Sequence, residues 1–453
     1  MITVSSTPGI EGRVLRRGDE GYEHHRIGTC WHARVPARYP EVIVVATSQE
    51  DVVGAVQLAR RENLGIAVRS GGHSWSASHL RDGTVLIDLS NMRRMEIDPE
   101  AMTATIQPGL KGAELSGQLL PRGLYFPTGH GSGVGLGGYL LQGGFAWNGR
   151  DYGPACMSVI GIDVVVASGE LLHADENENS ELLWAARGAG PGFFGVVTKF
   201  YLRLYPRKKV TMVSSYQYPV DCLQDVMRFV HEVGRETWAE ITLICSRQEE
   251  TGGDPAVMLR AVTFTDTVQE SLDVLAVFES CPVRSQALSA DVFVPTDHIS
   301  LTEGAGGGVD ENKRWIADNV TTHASADEMW PTIERMLEDF PPAPSHLAIF
   351  NWAGRTGEPE RPAMAFSIED EFFYSVYLAW PDADDDERYI SWVTDHMRSL
   401  EPHATGTFLA DENLQHRPSR FVSDDNLANL DALRSEWDPD ARFVSWLGRP
   451  LGG

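Results

Sequence analysis

The 453-residue sequence predicts an α+β protein of two domains. Up to residue 206, short apolar strands alternate with short amphipathic helices. Beyond it, longer helical patterns are interleaved with strands of alternating polarity. The chain is also too long for one ordinary hydrophobic core.

The elements follow in order. YPEVIVVATS (39–48) reads as a strand, and QEDVVGAVQLARREN (49–63) as a helix with Val52, Val53, Val56, Leu58 and Ala59 on its apolar side. GIAVRS (65–70), TVLIDLS (84–90) and TATIQPG (103–109) are strands, and GAELSGQLLPRG (112–123) is a short helix. SVIGIDVVVASGELLHAD (158–175) is a hairpin turning at Ser168-Gly169. ELLWAARGAG (181–190) is a helix ended by glycine, and GVVTKFYLRLYP (195–206) a strand closed by proline.

In the second half, DCLQDVMRFVHEVGRET (221–237) and ASADEMWPTIERMLEDF (325–340) are helical. The strands are ITLICSR (241–247), VMLRAVTFTD (257–266), HLAIFNW (346–352) and FFYSVYLAW (372–380). Alternation in the last two points to a sheet with one covered and one open face. TEGAGGGVDE (302–311) is expected to be a flexible loop, and the last forty residues short helix and loop.

Hydrophobic content of 42% with 23% charged residues describes a soluble globular chain. No stretch reaches the roughly 18 apolar residues of a membrane span, and the N-terminus has no apolar signal region. A net charge of −26 makes nucleic acid and anionic membrane poor partners. The five cysteines (Cys30, Cys156, Cys222, Cys245, Cys281) are dispersed, which argues against a disulfide framework or zinc site and suits a cytoplasmic location. No histidine spacing suggests a metal.

Two glycine-rich segments stand out. RSGGHSW (69–75) follows a buried strand and would weaken any regular element. FPTGHGSGVGLGGYLLQGGFAWNGRDYG (126–153) contains Gly133-x-Gly135-x-x-Gly138, the spacing of a dinucleotide fingerprint. That fingerprint needs a preceding strand and a following helix. LYFPTGH is a poor strand, and the continuing glycines leave no room for a helix to propagate. Val134, Leu136, Leu140, Leu141, Phe145 and Trp147 are too apolar for a solvated loop, so the segment reads as a ligand cradle.

These segments resemble the flavoprotein oxidases with a vanillyl-alcohol-oxidase-type FAD domain, in the berberine-bridge-enzyme-like branch. The matching stretches, in order, are TSQEDVVGAVQLARRENL, VRSGGHSWS, LIDLSNM, ATIQPGL, GLGGYLLQGGFAW, YGPACMSVIGIDVVVASGEL and NSELLWAARGAGPGFFGVVTKFYLRLYP, then YLAW and LRSEWDPDARF. The resemblance implies a two-part FAD-binding domain of PCMH type over 1–206 (core about 36–206) and a substrate domain over 207–409, with an antiparallel sheet covered by helices. A C-terminal segment, 410–453, would return to the first domain.

The resemblance also implies that the RSGGH backbone cradles the FAD pyrophosphate, so Arg69, Ser70, Gly71, Gly72 and Ser74 line the cofactor. His73 is implied to bond the flavin 8α-methyl carbon, a role open to a neutral imidazole near pH 7. Gly131, Gly133, Val134, Gly135, Gly137 and Gly138 would follow the cofactor, with Gly143, Gly144 and Phe145 behind them. Val196, Val197 and Trp446 complete the expected contacts.

The sequence departs from the family twice. Many relatives carry a second, cysteinyl flavin anchor, and that slot falls on Gly131 here, which implies a single covalent bond through His73. Relatives often carry an Asn-Tyr-x-Asn motif with a catalytic tyrosine, and TGTFLADENLQH (405–416) puts Asp411 and Glu412 there. Those two are either a solvated acidic loop or a replacement base, whose pKa an apolar cleft would raise. Tyr374 matches a substrate-facing sheet position in relatives, against the plain alternative of a packed core aromatic.

The resulting expectation is a cytoplasmic FAD oxidase of a small alcohol, amine or hydroxylated ring. Hydride would pass to flavin N5, and O2 would reoxidise the flavin to give H2O2. Specialised metabolism, such as antibiotic tailoring or resistance, is the expected setting. A sugar oxidase, an O2-independent dehydrogenase of the same fold and a non-catalytic protein sequestering a toxic molecule are the rivals. The oligomeric state is not specified by the sequence.

Overall fold

The computed structural model describes residues 9–247, 253–306, 310–352 and 360–449. Residues 307–309 of the glycine stretch expected as a loop lie outside them, as do 1–8 and 450–453.

The N-terminal half holds two sheets. The first runs β1-β2-β4-β3, with β1 (Arg13–Arg16), β2 (Val42–Val45), β3 (Gly65–Arg69) and β4 (Thr84–Asp88). β2 and β3 both pair parallel to β4, the central strand, which is buried along its whole length. The second sheet, β5-β6-β10-β8-β9, is antiparallel. It comprises β5 (Met95–Asp98), β6 (Thr103–Ile106), β8 (Val159–Val166), β9 (Leu171–Ala174) and β10 (Gly195–Arg203). A two-residue ladder joins β7 (Leu124–Tyr125) to β11 (Tyr205–Pro206).

Helix Gln49–Glu62 ties the two sheets together. It begins where the Ser48 side chain accepts from Asp51 N–H and ends at Asn63, which takes a left-handed conformation at φ 53°. Its Val52, Ala55, Val56 and Ala59 are fully buried in the core shared by both sheets. Phe421, Leu430, Phe443 and Trp446 from the C-terminal segment pack into that same core.

The second half is one seven-stranded antiparallel sheet, ordered β15-β12-β14-β13-β17-β18-β16. Its strands are β12 (Val210–Pro219), β13 (Glu240–Arg247), β14 (Pro255–Thr265), β15 (Ser289–Thr296), β16 (Arg314–Thr322), β17 (His346–Asn351) and β18 (Phe372–Trp380). Helices Leu223–Gly234, Val268–Ala276, Ala326–Glu338 and Asp386–Leu400 supply Val226, Leu275, Ile333 and Val393 to the core on one face. The other face looks toward the glycine segments across a cavity. Among the described residues, no helix is long and apolar enough to cross a membrane.

Several expectations change. A short helix, Leu136–Leu141, does form within the glycine segment. It lasts six residues and stops at Gly143, whose φ is 108°. Burial of Leu136 and Leu140 supplies what propensity lacks. Residues 302–306, expected as loop, are the end of helix His298–Gly306. Strands β12, β15 and β16 lie outside the expected set: β15 and β16 carry polar residues that mask their pattern, and in β12 Ser214 interrupts the buried row of Met212, Tyr216 and Tyr218.

Candidate active site

The RSGGHSW loop leaves β3 at its C-terminal end. Arg69 anchors it: Nη1 bonds Asp88 Oδ1 at 2.9 Å, and Nη2 donates to the Gly71 carbonyl at 3.3 Å. Burial pushes the Asp88 carboxyl up, but hydrogen bonds from His25 and Arg69 outweigh it and hold the pKa below the usual range. Gly72 has φ 74°, and a Cβ there would lie 2.2 Å from the Thr29 carbonyl oxygen. A Cβ on Gly71 would lie 2.5 Å from the Gly135 amide nitrogen, so the two glycine segments touch backbone to backbone.

Among the described residues, the backbone N–H groups of Ser70, Gly71, Gly72, His73 and Ser74 have no protein acceptor. A concave row of free N–H donors beside a glycine-lined wall is the arrangement that receives a pyrophosphate. The residues therefore fit FAD.

His73 lines the cavity, its ring stacked on Trp31 at 5.5 Å and 12°. Desolvation, aided by Lys111 and Arg69, brings its pKa down to about 4, so the imidazole is neutral at physiological pH.

The cavity holds about 740 Å³ between the glycine segments and the open sheet face. Gly131, Val134, Gly135, Gly137, Gly138, Phe145 and Val197 lie on its wall with the residues of the 69–74 loop. The other expected contacts sit behind it. Gly133 packs against the His73 imidazole, where a Cβ would approach Nε2 to 3.2 Å. Gly143 faces Phe366, and Gly144 faces Tyr139 and Ala155. Val196 is fully buried on the core side of β10. Trp446 lies against Gly192 and donates its indole N–H to the Ala189 carbonyl at 3.0 Å; Phe443 and Val444 reach the cavity instead.

The catalytic expectations separate more sharply. Asp411 is on the wall: Oδ1 accepts from Trp75 Nε1 at 2.7 Å and Oδ2 from the Tyr377 hydroxyl at 2.8 Å. Burial pushes its pKa up, while those two hydrogen bonds pull down. Glu412 points away, accepting from Ser76 Oγ at 2.5 Å and Leu414 N–H at 2.6 Å, and is 6% exposed. In an extended backbone, with φ −80° and ψ 149° at Glu412, adjacent side chains point to opposite sides.

Tyr374 is also displaced from the expected role. It is fully buried on the helix-covered face of β18, where its hydroxyl and His231 Nε2 share a hydrogen bond of 2.6 Å. Three residues on, Tyr377 takes the cavity face, in line with the two-residue period of a strand.

A buried network fixes Asp411. Asn319 on β16 donates Nδ2 to the carbonyls of Phe408 (2.9 Å) and Asp411 (2.8 Å), and accepts from Phe408 N–H at 2.7 Å. Beside it, Arg417 Nε bonds Asp318 Oδ2 at 2.9 Å and Nη2 donates to the Asn319 carbonyl at 2.8 Å. Sequence reasoning missed Asn319, Arg417, Trp75 and Tyr377. It also missed the aromatic wall of Trp31, Trp315, Phe350, Phe373 and Phe408.

Cys156 is buried off the cavity, its Sγ 4.0 Å from Met364 Sδ, and none of the five cysteines lines the wall. Among the described residues no group of three His, Cys, Asp or Glu side chains could hold a metal ion.

A model of the FAD binding domain matches residues 40–175. FAD-linked oxidoreductase nodO of Hypoxylon pulicicidum is 32% identical over 428 residues, covering 93% of this chain and 94% of that one. The chain belongs to the FAD-linked oxidoreductases. The fold of this oxidoreductase is also that of two solved flavoenzymes. 6-Hydroxy-D-nicotine oxidase of Arthrobacter nicotinovorans has a TM-score of 0.84 at 22% identity, with 98% of both chains covered. Physcomitrella patens BBE-like 1 has a TM-score of 0.83 at 18% identity, again with 98% of each covered. The architecture is thus berberine-bridge-enzyme-like, with the PCMH-type FAD-binding fold.

Proposed function

We propose that this FAD-linked oxidoreductase oxidises a small, ring-bearing alcohol, amine or hydroxylated ring. In this reading FAD is joined to the protein through His73 alone, and O2 accepts the electrons to give H2O2. The observation that carries the reading is the Asp411 carboxylate, held by Tyr377 and Trp75 on the wall of the cavity that the 69–74 loop also borders.

The free N–H groups of residues 70–74 would take the pyrophosphate, and the neutral His73 would bond the flavin methyl carbon. Gly131, on the wall where a cysteine anchor would sit, leaves His73 as the single link. When bound, FAD supplies a two-electron acceptor that takes hydride and delivers electrons to O2.

Asp411 accepts the proton released from the substrate hydroxyl or amine. Its burial makes it a stronger base than an exposed carboxylate, while Tyr377 and Trp75 steady the ionised form and aim it. Trp315, Phe350, Phe373 and Phe408 exclude water and seat an apolar ring. These walls support a ring substrate over a sugar, whose hydroxyl groups would be left without partners.

The test is anaerobic mixing of the purified yellow protein with a panel of cyclic alcohols, amines and phenols. Bleaching of the flavin, followed by recovery in air with one H2O2 per substrate oxidised, is expected. A compound that binds and returns unchanged without bleaching would mean sequestration. Bleaching that persists in air would mean a dehydrogenase.

A further inference from the structure

Two arginines on the cavity wall, Arg247 and Arg260, are not used by the chemistry above, and Arg247 is already engaged, donating to the carbonyls of Phe340 at 2.8 Å and Gly253 at 3.0 Å. Arg260 lies on β14, on the face opposite the buried Leu259 and Ala261, and its side chain borders the cavity. Among the described residues it makes no hydrogen bond and no ion pair, and its Nε is shut off from solvent with no partner. An Nε in that state is costly, because water has been removed from it and nothing has replaced it.

Its surroundings supply donors rather than a counter-charge. Thr242 is the direct cross-strand partner of Arg260 on β13, which places the two β-carbons about 5 Å apart. Thr242 lines the same cavity, and its hydroxyl too has no protein partner among the described residues. The carboxylate on that face of β13, Glu240, is already engaged: it pairs with His130 and accepts from the Asn148 amide at 2.9 Å. Met258, Ile244 and Phe350 beside them on the cavity wall are apolar; on the other side Arg260 is paired across the sheet with Ser215 and, one strand further, faces the row of Asp291, with which it forms no ion pair.

We infer that Arg260 and Thr242 form a subsite for an acid group, a carboxylate, on the molecule this enzyme binds. The inference rests on the reading of the cavity as the substrate site. A planar guanidinium presents paired N–H donors that match a carboxylate, and the adjacent hydroxyl adds a third. In a cavity otherwise walled by aromatic and aliphatic side chains, that pairing selects acids over their neutral counterparts. The substrate class narrows accordingly to an apolar, ring-bearing acid.

Titration calorimetry on the FAD-loaded protein tests this with indole-3-acetate and indole-3-acetamide, which match in shape and differ in charge. The acid should bind at least tenfold more tightly, and the difference should shrink as salt is raised. Arg260→Met should bring the two ligands within about twofold of each other, with Arg260→Lys intermediate. Thr242→Val should weaken the acid several-fold and leave the amide unchanged. Because Arg260 has no partner in the free protein, the Arg260→Met unfolding midpoint should equal or exceed that of the parent.

Equal affinities in the parent, no binding of the acid at millimolar concentration, or a preference that survives Arg260→Met would overturn the inference. So would a variant that keeps the acid preference but loses sulfite addition to the flavin, which would assign Arg260 to the cofactor. Calorimetry requires no turnover, so acid recognition stands or falls separately from oxidation.

Discussion

The Tyr377 hydroxyl donates to Oδ2 of Asp411 at 2.8 Å, joining the cavity face of the sheet to the C-terminal segment. Burial holds the Tyr377 hydroxyl well above its usual pKa, so it remains a donor throughout the physiological range. The group that changes protonation in this pair is therefore the carboxylate. With Trp75 on its other oxygen, Asp411 has a fixed orientation and a fixed set of donors.

Replacing Asp411 by Asn should slow anaerobic flavin reduction by about 10²–10⁴, the usual cost of losing a positioned base. The fall in rate at acid pH should vanish with it. Tyr377→Phe removes one interaction that lowers the Asp411 pKa, so its acid limb should move to higher pH. Tyr374→Phe should leave the rate alone and cost stability of about 1 kcal/mol, since only its bond to His231 is lost. Stopped-flow traces across pH decide among these. Slowing by Tyr374→Phe beyond that of Asp411→Asn would place the base on the sheet strand instead of the C-terminal segment.

Stability should show the same carboxyl from the other side. The folded protein raises the Asp411 pKa above its unfolded value near 3.9. Its stabilising contribution is then complete below the unfolded value and is lost as pH rises through the folded one. Asp411→Asn should therefore gain thermal midpoint over the parent, and the gap should widen between acid and neutral pH. A gap that narrows instead would mean that Asp411 is stabilised as the anion.

What could be read in the sequence was what local backbone demands. Gly71 and Gly72 answer a close approach and a positive φ, requirements that leave a glycine wherever they occur. Tyr374 and Tyr377 could not be told apart, because both faces of β18 are apolar: one meets helices and the other the aromatic wall. Two-residue periodicity separates the faces without saying which is open. Asp411 and Glu412 are neighbours whose roles diverge through side-chain direction, which composition does not carry. The Asn319 clamp joins residues 89 positions apart and the Arg417 pair residues 99 apart, and neither leaves a local pattern. β16 escaped notice for the same reason, since its Asp318 and Asn319 are polar yet fully buried in that network.

The covalent link has a clean readout. Acid-precipitated protein should stay yellow, with the flavin mass on a peptide containing His73. His73→Ala should release the colour into the supernatant while FAD still binds, because the cradle is backbone. Replacing all five cysteines should leave the link in place, as none of them borders the cavity. A flavin mass on any cysteine peptide would sink the single-link reading.

Gly71→Ala isolates the contact between the two glycine segments. Its Cβ would sit 2.5 Å from the Gly135 nitrogen and 2.7 Å from its Cα, and neither is the movable end of a side chain. The loops must separate, so FAD content should fall sharply although no donor has been removed. Retention of stoichiometric flavin would show that the cradle tolerates a wider gap than this structure has.

The last prediction concerns Arg417, which never touches the cavity. Arg417 and Asp318 are paired in the core with side chains 2% and 0% exposed. Arg417→Met leaves a buried carboxylate there without its partner, a loss of about 3–5 kcal/mol by urea unfolding. Replacing both residues, as Asp318→Asn with Arg417→Met, removes the uncompensated charge and should recover a large part of that. The kinetic effect should differ in kind from that of Asp411→Asn. Arg417 also donates to the Asn319 carbonyl, and Asn319 holds the backbone at Phe408 and Asp411. A looser clamp blurs the position of the base and leaves its chemistry intact. Flavin reduction by the folded single variant should therefore slow while keeping its acid limb. If that limb disappears instead, Arg417 acts on the ionisation of Asp411 and not on its placement.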